Sequence, residues 1–403
     1  MKRFELVIVG GGLAAARAIK SYREAGGEGR IALLSKDAAL PYHRPALSKG
    51  YLRGETDNAP FVEEEGFYGD HRVELLLETS VAAIDPGART VTAGDATRYG
   101  YEKLLIATGA EPRHLNVPGA DLDGVFALRT LADSDAIRDA AKGAARAVVV
   151  GGGFIGMEVA ASLRSLDVDV TLVHSGSGLF EQFGSEQLSK ELVGLYRANG
   201  VELLLEEEVA AFGGERQLAF VTTKSGRRID ADFAVVGVGV VPSVDFLDGS
   251  GLRLDNGVVV NERYETGAPG TFAVGDVANF FDPLYSRQRR IEHWSNANYQ
   301  GTEVGKLLAG QDGGYNTVSS FFAKVFGLGL KVFGDVSQFD DLATDGTLAD
   351  RDLIATYGDR GRLVGALAVD PSDEVVSRLT RLIEAKAPMP AAFNGKRAAA
   401  SVR

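Results

Sequence analysis

Two stretches of the chain share one pattern of apolar and polar positions. "FELVIVGGGLAAARAIKSY" (residues 4–22) runs from a short apolar segment through three glycines into an alanine-rich segment, and "RAVVVGGGFIGMEVAASLRSL" (residues 146–166) repeats the plan. An unbroken apolar run bounded by glycine predicts a buried strand, and the alanine-rich continuation predicts a helix. The first set of glycines fits G-x-G-x-x-A at Gly10, Gly12 and Ala15, with Leu13 and Ala14 between; the second is Gly151, Gly153 and Gly156, enclosing Phe154 and Ile155. Glycines at this spacing allow a tight turn and let a pyrophosphate sit on the helix N-terminus. One such motif is weak evidence. Two, each between a strand and a helix, predict an α/β chain with two Rossmann-like dinucleotide-binding folds.

Each fold is expected to continue into a second strand ending in an acid for a ribose. After the first fingerprint comes "GRIALLSKDAALPY", where Asp37 fits the role beside Ser35 and Lys36, with the register open by one residue. After the second comes "DVDVTLVHSGSGLF", which puts His174 in the acid's slot, followed by Ser175 and Ser177. With neither a carboxylate nor an arginine there, the choice between NADH and NADPH stays open, with a narrow lean to NADH. "LLIATGAEP" closes a strand in a Thr108-Gly109 turn, a natural crossing between domains. "DFAVVGVGVVPSVDFL" offers a second crossing, and "TFAVGDVANFFD" places Gly275 and Asp276 where backbone and carboxylate can approach a sugar-like hydroxyl.

Composition narrows the chemistry. A chain of 403 residues with 45% hydrophobic and 24% charged positions predicts two or three globular domains. The net charge of −12 argues against generic nucleic-acid binding. No apolar run is long enough to span a bilayer, and Met1 leads almost directly into the first strand, so a cytoplasmic protein without a signal peptide is expected. Cysteine is absent and the 5 histidines show no metal-like spacing. Disulfide exchange, thiolate catalysis and Cys-ligated metals are thereby excluded. Any redox chemistry must come from a bound organic cofactor. One loop stands out: "LPYHRPALSKGYL" sets two cations, Arg44 and Lys49, in a segment stiffened by prolines on either side of Arg44.

Taken in order, these motifs and the later "HWSNANYQG" resemble the ferredoxin reductase group of the two-dinucleotide flavoproteins, the group of putidaredoxin and rubredoxin reductases, with apoptosis-inducing factor a more distant relative. The resemblance covers roughly residues 1–335. It implies a discontinuous FAD domain (residues 1–109 and 241–320), an NAD(P) domain (110–240) and a smaller C-terminal α/β domain (321–403) ending in a loose tail. It also implies roles. Arg44 faces the FAD phosphates or ribityl chain, Pro45 fixes the turn, and Lys49 lies near flavin N5 with Glu158 as its partner. Such an ammonium raises the electron affinity of the ring while its carboxylate holds it in place. Val81, Ala107, Thr108, Gly109 and Arg129 are implied contacts of FAD, and Gly239 lines the nicotinamide path. A helix beginning near Trp294, with His293 before it and Ala297 in its first turn, would aim its positive end at the reduced ring.

The C-terminal domain departs from that pattern. In "SSFFAKVFGLGLKVFGD" the aromatics Phe321 and Phe322 stay, and Phe322 would cover the flavin, but Ala323 and Lys324 replace a polar pair. The expected activity is hydride transfer from NAD(P)H to FAD and single-electron transfer to a ferredoxin-type iron–sulfur protein, the chain being a monomer or homodimer. An acidic carrier would dock near Arg287, Arg289 and Arg290, with Lys324 and Lys331 alongside. Two other readings stay open: an NAD(P)H oxidase or reductase of quinones and other small acceptors, and a redox-sensing binding protein like apoptosis-inducing factor.

Overall fold

The computed structural model describes residues 1–390 and Phe393. The chain divides into two compact units: Met1–Pro45, Asn58–Glu111 and Val240–Thr317 form the first, and Ala46–Asp57, Pro112–Gly239 and the described residues from Val318 onward form the second. Among the described residues no helix is long and apolar enough to cross a membrane.

In the first unit, strands Val73–Leu76, Ile31–Leu34, Lys2–Val9 and Arg98–Ile106 lie side by side in that order, all parallel, with Thr271–Ala273 added parallel to the last. Val81–Asp85 and Thr90–Ala93 extend the sheet antiparallel. Leu6, Val7, Ile8, Leu104 and Leu105 are fully buried, as expected of strands covered on both faces. Helices Leu13–Glu24 and Trp294–Leu308 pack against each other. Glycine makes that approach feasible: a β-carbon on Gly301 would stand 2.5 Å from the Ala14 carbonyl oxygen, and one on Gly305 2.6 Å from that of Ala18.

The second unit has its own five-stranded parallel sheet, in the order Val201–Leu204, Asp169–Val173, Arg146–Val150, Phe233–Val236 and Val125–Ala127. Helix Phe154–Arg164 follows the central strand. The unit's C-terminal part is an antiparallel sheet, ordered Ser320–Val325, Leu328–Gly334, Arg362–Val369, Ile354–Asp359 and Asp341–Asp345, joined by helix Asp373–Glu384. The closing segment, expected to be loose, is tied down at its start. The amide of Leu363 donates to the Ala387 carbonyl, that of Met389 donates to Gly361, and Phe393 is buried under the Arg378 guanidinium. The rest of that tail, residues 391–392 and 394–403, lies outside the described residues.

Candidate functional site

The first fingerprint is built by backbone crowding. Gly10 has φ +110° and its missing β-carbon would overlap the Ala107 carbonyl, so only glycine lets the ends of strands Lys2–Val9 and Arg98–Ile106 meet here. Gly12 caps helix Leu13–Glu24 without a side-chain hydrogen bond, and the helix opens on Leu13, Ala14 and Ala15, all buried. A β-carbon on Gly12 would lie 3.2 Å from Arg44 Nη1. A guanidinium therefore stands at the positive end of a helix dipole, where an anion is favoured. That arrangement fits a pyrophosphate.

The second strand of the first fingerprint is Ile31–Leu34. The strand ends at Leu34 and Ser35 is buried under Gly11. Asp37 accepts from Tyr42 Oη at 2.8 Å and from the Ala39 amide at 3.1 Å, while Lys36 points away into an exposed pair with Glu111. A carboxylate has more lone pairs than these two bonds use, so Asp37 retains capacity for a ribose hydroxyl. Arg44 and Pro45 open the short turn Arg44–Ala46, with the Arg44 guanidinium over the Tyr42 ring.

Further along this unit, Thr108 Oγ1 donates to the Ser243 carbonyl at 2.8 Å and Gly109 turns with φ +71°. Val81, at the start of its antiparallel strand, is half-buried opposite Ala93. Gly275 turns with φ +77°, its amide held at 2.8 Å by Gln300 Oε1, and Asp276 follows with its carbonyl accepting from Arg290. Gln300, fully buried on the second helix, is a tether that the sequence did not reveal. His293 caps helix Trp294–Leu308 through its backbone only, and Ala297 lies one turn in, its amide bonded to the His293 carbonyl. Burial pushes the His293 imidazole down to about 4. Trp294 Nε1 donates to Nδ1 of His43 at 2.9 Å. His43 is a second residue the sequence did not single out.

In the second fingerprint, β-carbons on Gly151 and Gly156 would overlap the carbonyls of Gly237 and Gly151, so turn and helix pack backbone to backbone. At Gly153 the same direction is open space, the side from which a phosphate can reach the helix end. Phe154 packs among Phe180, Phe183 and Phe321, while Ile155 is 38% exposed. His174 Nδ1 accepts from the Gly152 amide at 3.2 Å, and burial lowers its pKa, with Glu181 opposing. Ser175 is exposed. Gly239 is exposed with φ +100°.

The loop carrying Lys49 belongs to this unit. Lys49 Nζ meets Glu158 Oε2 at 2.5 Å, and the side chains are only 16% and 5% exposed. Ser48 Oγ donates to the same oxygen at 2.6 Å, and the Lys324 amide donates to Oε1 at 3.2 Å. Ser162, one turn beyond Glu158, donates to the Ser48 carbonyl, and Ser134 donates to that of Leu47. Burying a carboxylate is costly unless donors meet it, and Lys49, Ser48 and the Lys324 amide meet Glu158. Ser48 lies beside Lys49 in the proline-stiffened loop and Ser162 one turn beyond Glu158, whereas Ser134 and the Lys324 amide come from distant parts of the chain.

Arg129 lies just ahead of helix Leu131–Ala141, its amide bonded to Asp133 in a capping box. Phe322 is 50% exposed, whereas its neighbour Phe321 takes the packed position. Arg287, Arg289 and Arg290 form one strand, half-buried; Arg289 pairs with fully buried Asp282 at 2.7 Å and Arg290 with Glu292. The basic stretch read from sequence is thus partly neutralised by folded-back carboxylates.

The chain is similar throughout to proteins of known activity. It is 34% identical over 94% of its length to the ferredoxin–NAD(+) reductase subunit of a benzene 1,2-dioxygenase system from Pseudomonas putida, covering 92% of that protein. It is 33% identical to putidaredoxin reductase of Pseudomonas putida, over 91% of this chain and 87% of that one. Among solved structures it matches the reductase in a covalent putidaredoxin reductase–putidaredoxin complex, with a TM-score of 0.91 and 31% identity over 96% of this chain and 94% of that chain. It likewise matches a ferredoxin reductase from Rhodopseudomonas palustris, with a TM-score of 0.90 and 29% identity over 98% of both chains. The family model described as pyridine nucleotide-disulphide oxidoreductase matches residues 4–301. With this match, these relatives and two glycine fingerprints in place, the chain belongs to the pyridine nucleotide-disulphide oxidoreductase family, as a cysteine-free member.

Proposed function

We propose that this chain is an FAD-dependent NAD(P)H reductase that delivers electrons to a ferredoxin-type iron–sulfur protein. The observation that carries this reading is the buried Lys49–Glu158 pair in a chain with two nucleotide fingerprints and no cysteine. Electrons that cannot pass to a disulfide must leave to a separate acceptor. The curated relatives named as ferredoxin reductases support an iron–sulfur carrier as that acceptor.

FAD, when bound, accepts hydride from the nicotinamide and releases electrons one at a time. The chain's own residues bind and position. Arg44 and the helix end at Gly12 take the pyrophosphate, and Asp37 takes a ribose hydroxyl. Lys49 supplies a fixed positive charge for the reduced ring, its place set by Glu158, Ser48 and the Lys324 amide. In the first unit, the N-terminus of helix Trp294–Leu308 carries about half a positive charge, with His293 and His43 neutral beside it. The second fingerprint takes NAD(P)H, with Gly239 and Ile155 along the nicotinamide path. The segments 1–109 and 241–320 act as the FAD domain, 110–240 as the NAD(P) domain and 321–403 as the interface domain. An acidic carrier docks along Arg287–Arg290, where Asp282 and Glu292 offset part of the charge. We place the protein in the cytoplasm, where NAD(P)H is supplied.

Anaerobic stopped-flow reduction of the flavin-loaded protein, followed by addition of a [2Fe–2S] ferredoxin, tests the reading. Rapid bleaching and then reduction of the ferredoxin is the expected result. Turnover with oxygen or quinone alone would replace the acceptor. Bleaching over many minutes would replace electron transfer with redox sensing.

A further inference from the structure

The second strand of the second fingerprint ends in a histidine where an acid for the adenine ribose is ordinarily found. His174 is occupied: its Nδ1 accepts from the Gly152 amide, so it serves the glycine turn itself. A carboxylate nevertheless reaches the place. Glu181, opening the turn Glu181–Phe183, folds back over the loop that follows His174. Its Oε1 accepts from the Ser177 amide at 2.9 Å and from Ser177 Oγ at 2.6 Å. Its Oε2 lies 3.9 Å from His174 Nε2, and the side chain is 40% exposed. Gly176 is the residue it folds onto, since any β-carbon there would overlap the carboxylate.

The turn that aims Glu181 is anchored to the fingerprint. Phe180 sits in the left-handed region with φ +57°, buried against Phe154, the first residue of the nucleotide-binding helix. The surroundings are acidic. From His174 to Ser189 the chain carries no arginine or lysine. The carbonyls of His174 and Gly176 accept from the amides of Glu207 and Glu206, which brings the run Glu206–Glu208 to the same rim.

We propose that Glu181 selects the nucleotide, accepting the adenine ribose 2′-hydroxyl of NADH and repelling the 2′-phosphate of NADPH. This rests on the second fingerprint being the nicotinamide nucleotide site. A hydroxyl can donate to Oε2, whereas a phosphate would meet carboxylates with no cation in the loop to receive it.

The test is calorimetric titration of the oxidised, flavin-loaded protein with NAD+ and with NADP+, for wild type, Glu181→Gln and Ser177→Ala. Wild type should bind NAD+ more tightly, and Glu181→Gln should narrow the ratio of dissociation constants by about tenfold, the worth of removing one charge near a dianion in water. Ser177→Ala keeps the charge but frees it and should narrow the ratio less. Raising salt should shrink the wild-type preference and leave that of Glu181→Gln nearly flat. If wild type prefers NAD+ and Glu181→Gln keeps the same ratio, the assignment to Glu181 is wrong while the reductase reading stands. A wild-type preference for NADP+ overturns it equally. Binding of neither nucleotide overturns the reductase reading together with it.

Discussion

Trp294 donates its indole N–H to Nδ1 of His43, and the two rings lie 5.6 Å apart at 49°. The bond requires His43 to carry its proton on the other nitrogen, and hence to be neutral. Burial lowers its pKa, Arg17 lowers it further, and Glu63 opposes. Arg17 is itself held by Glu63 and by Asn298 on the helix that Trp294 begins. The loop bearing His43 is therefore fastened to that helix through a contact that protonation would break.

Three histidines, His43, His174 and His293, titrate below the ordinary value of 6.5, burial leading in each case. As pH falls below that value the unfolded chain takes up protons that the folded chain refuses. Stability is thus full above about pH 6.5 and declines toward the folded values, about 4 for His293. A shift of that size corresponds to about 3 kcal/mol at most. Urea midpoints at about pH 7.5 and about pH 5 should show the loss, and His293→Gln, which cannot titrate, should show less of it. Equal losses in both proteins would remove His293 from the account.

Lys49 and Glu158 should behave as one unit. Removing either leaves the other buried, at a cost of about 3–5 kcal/mol. The double variant Lys49→Met/Glu158→Gln should recover part of that, with a coupling of about 1–3 kcal/mol in an unfolding cycle. Simple additivity would mean that the two side chains do not stabilise each other. Lys49→Met should also slow flavin reduction at saturating nucleotide, by contrast with Lys49→Arg.

Arg44→Ala should weaken FAD retention about tenfold to a hundredfold, the worth of one charge-assisted hydrogen bond of about 1.5–3 kcal/mol. Fluorescence titration of the flavin-free protein measures this directly. Retention at the wild-type level would show that the helix end holds the pyrophosphate without the guanidinium.

Two glycine-to-alanine changes in helices should move in opposite directions. Gly194 lies in helix Glu186–Ala198 with open space where a β-carbon would point. Gly194→Ala should raise stability by up to about 1 kcal/mol. Gly301→Ala gains the same propensity but forces its β-carbon to 2.5 Å from the Ala14 carbonyl, and should lose about 1–3 kcal/mol net of relaxation. Melting temperatures of the two variants should therefore fall on opposite sides of wild type.

The glycine fingerprints were legible because their logic is local: turn, strand and helix lie within a score of residues. The Lys49–Glu158 contact joins residues far apart in sequence, and spacing alone could not suggest it; only the resemblance did. Ser134, Ser162 and the Lys324 amide stayed hidden because serine and backbone carry no pattern. Glu181 was not legible because a ribose acid is expected at the strand end, and a left-handed Phe180 turns the chain back from beyond it. The run Arg287–Arg290 read as more basic than it is, since sequence shows cations without the carboxylates that fold onto them.

The parallel pairing of Thr271–Ala273 with Arg98–Ile106 also sets the order in which the protein can be made. A ribosome releases the first fingerprint before the second, yet its sheet lacks a strand, and its helix a packing partner, until residues 271–308 emerge. The five-stranded sheet spanning residues 125–236 is contiguous and can close earlier. The fingerprint synthesised first is thus completed late, and translation stopped before Trp294 leaves the face of helix Leu13–Glu24 that receives Gly301 and Gly305 without its cover. Nascent chains halted there should be the ones that chaperones and proteases engage.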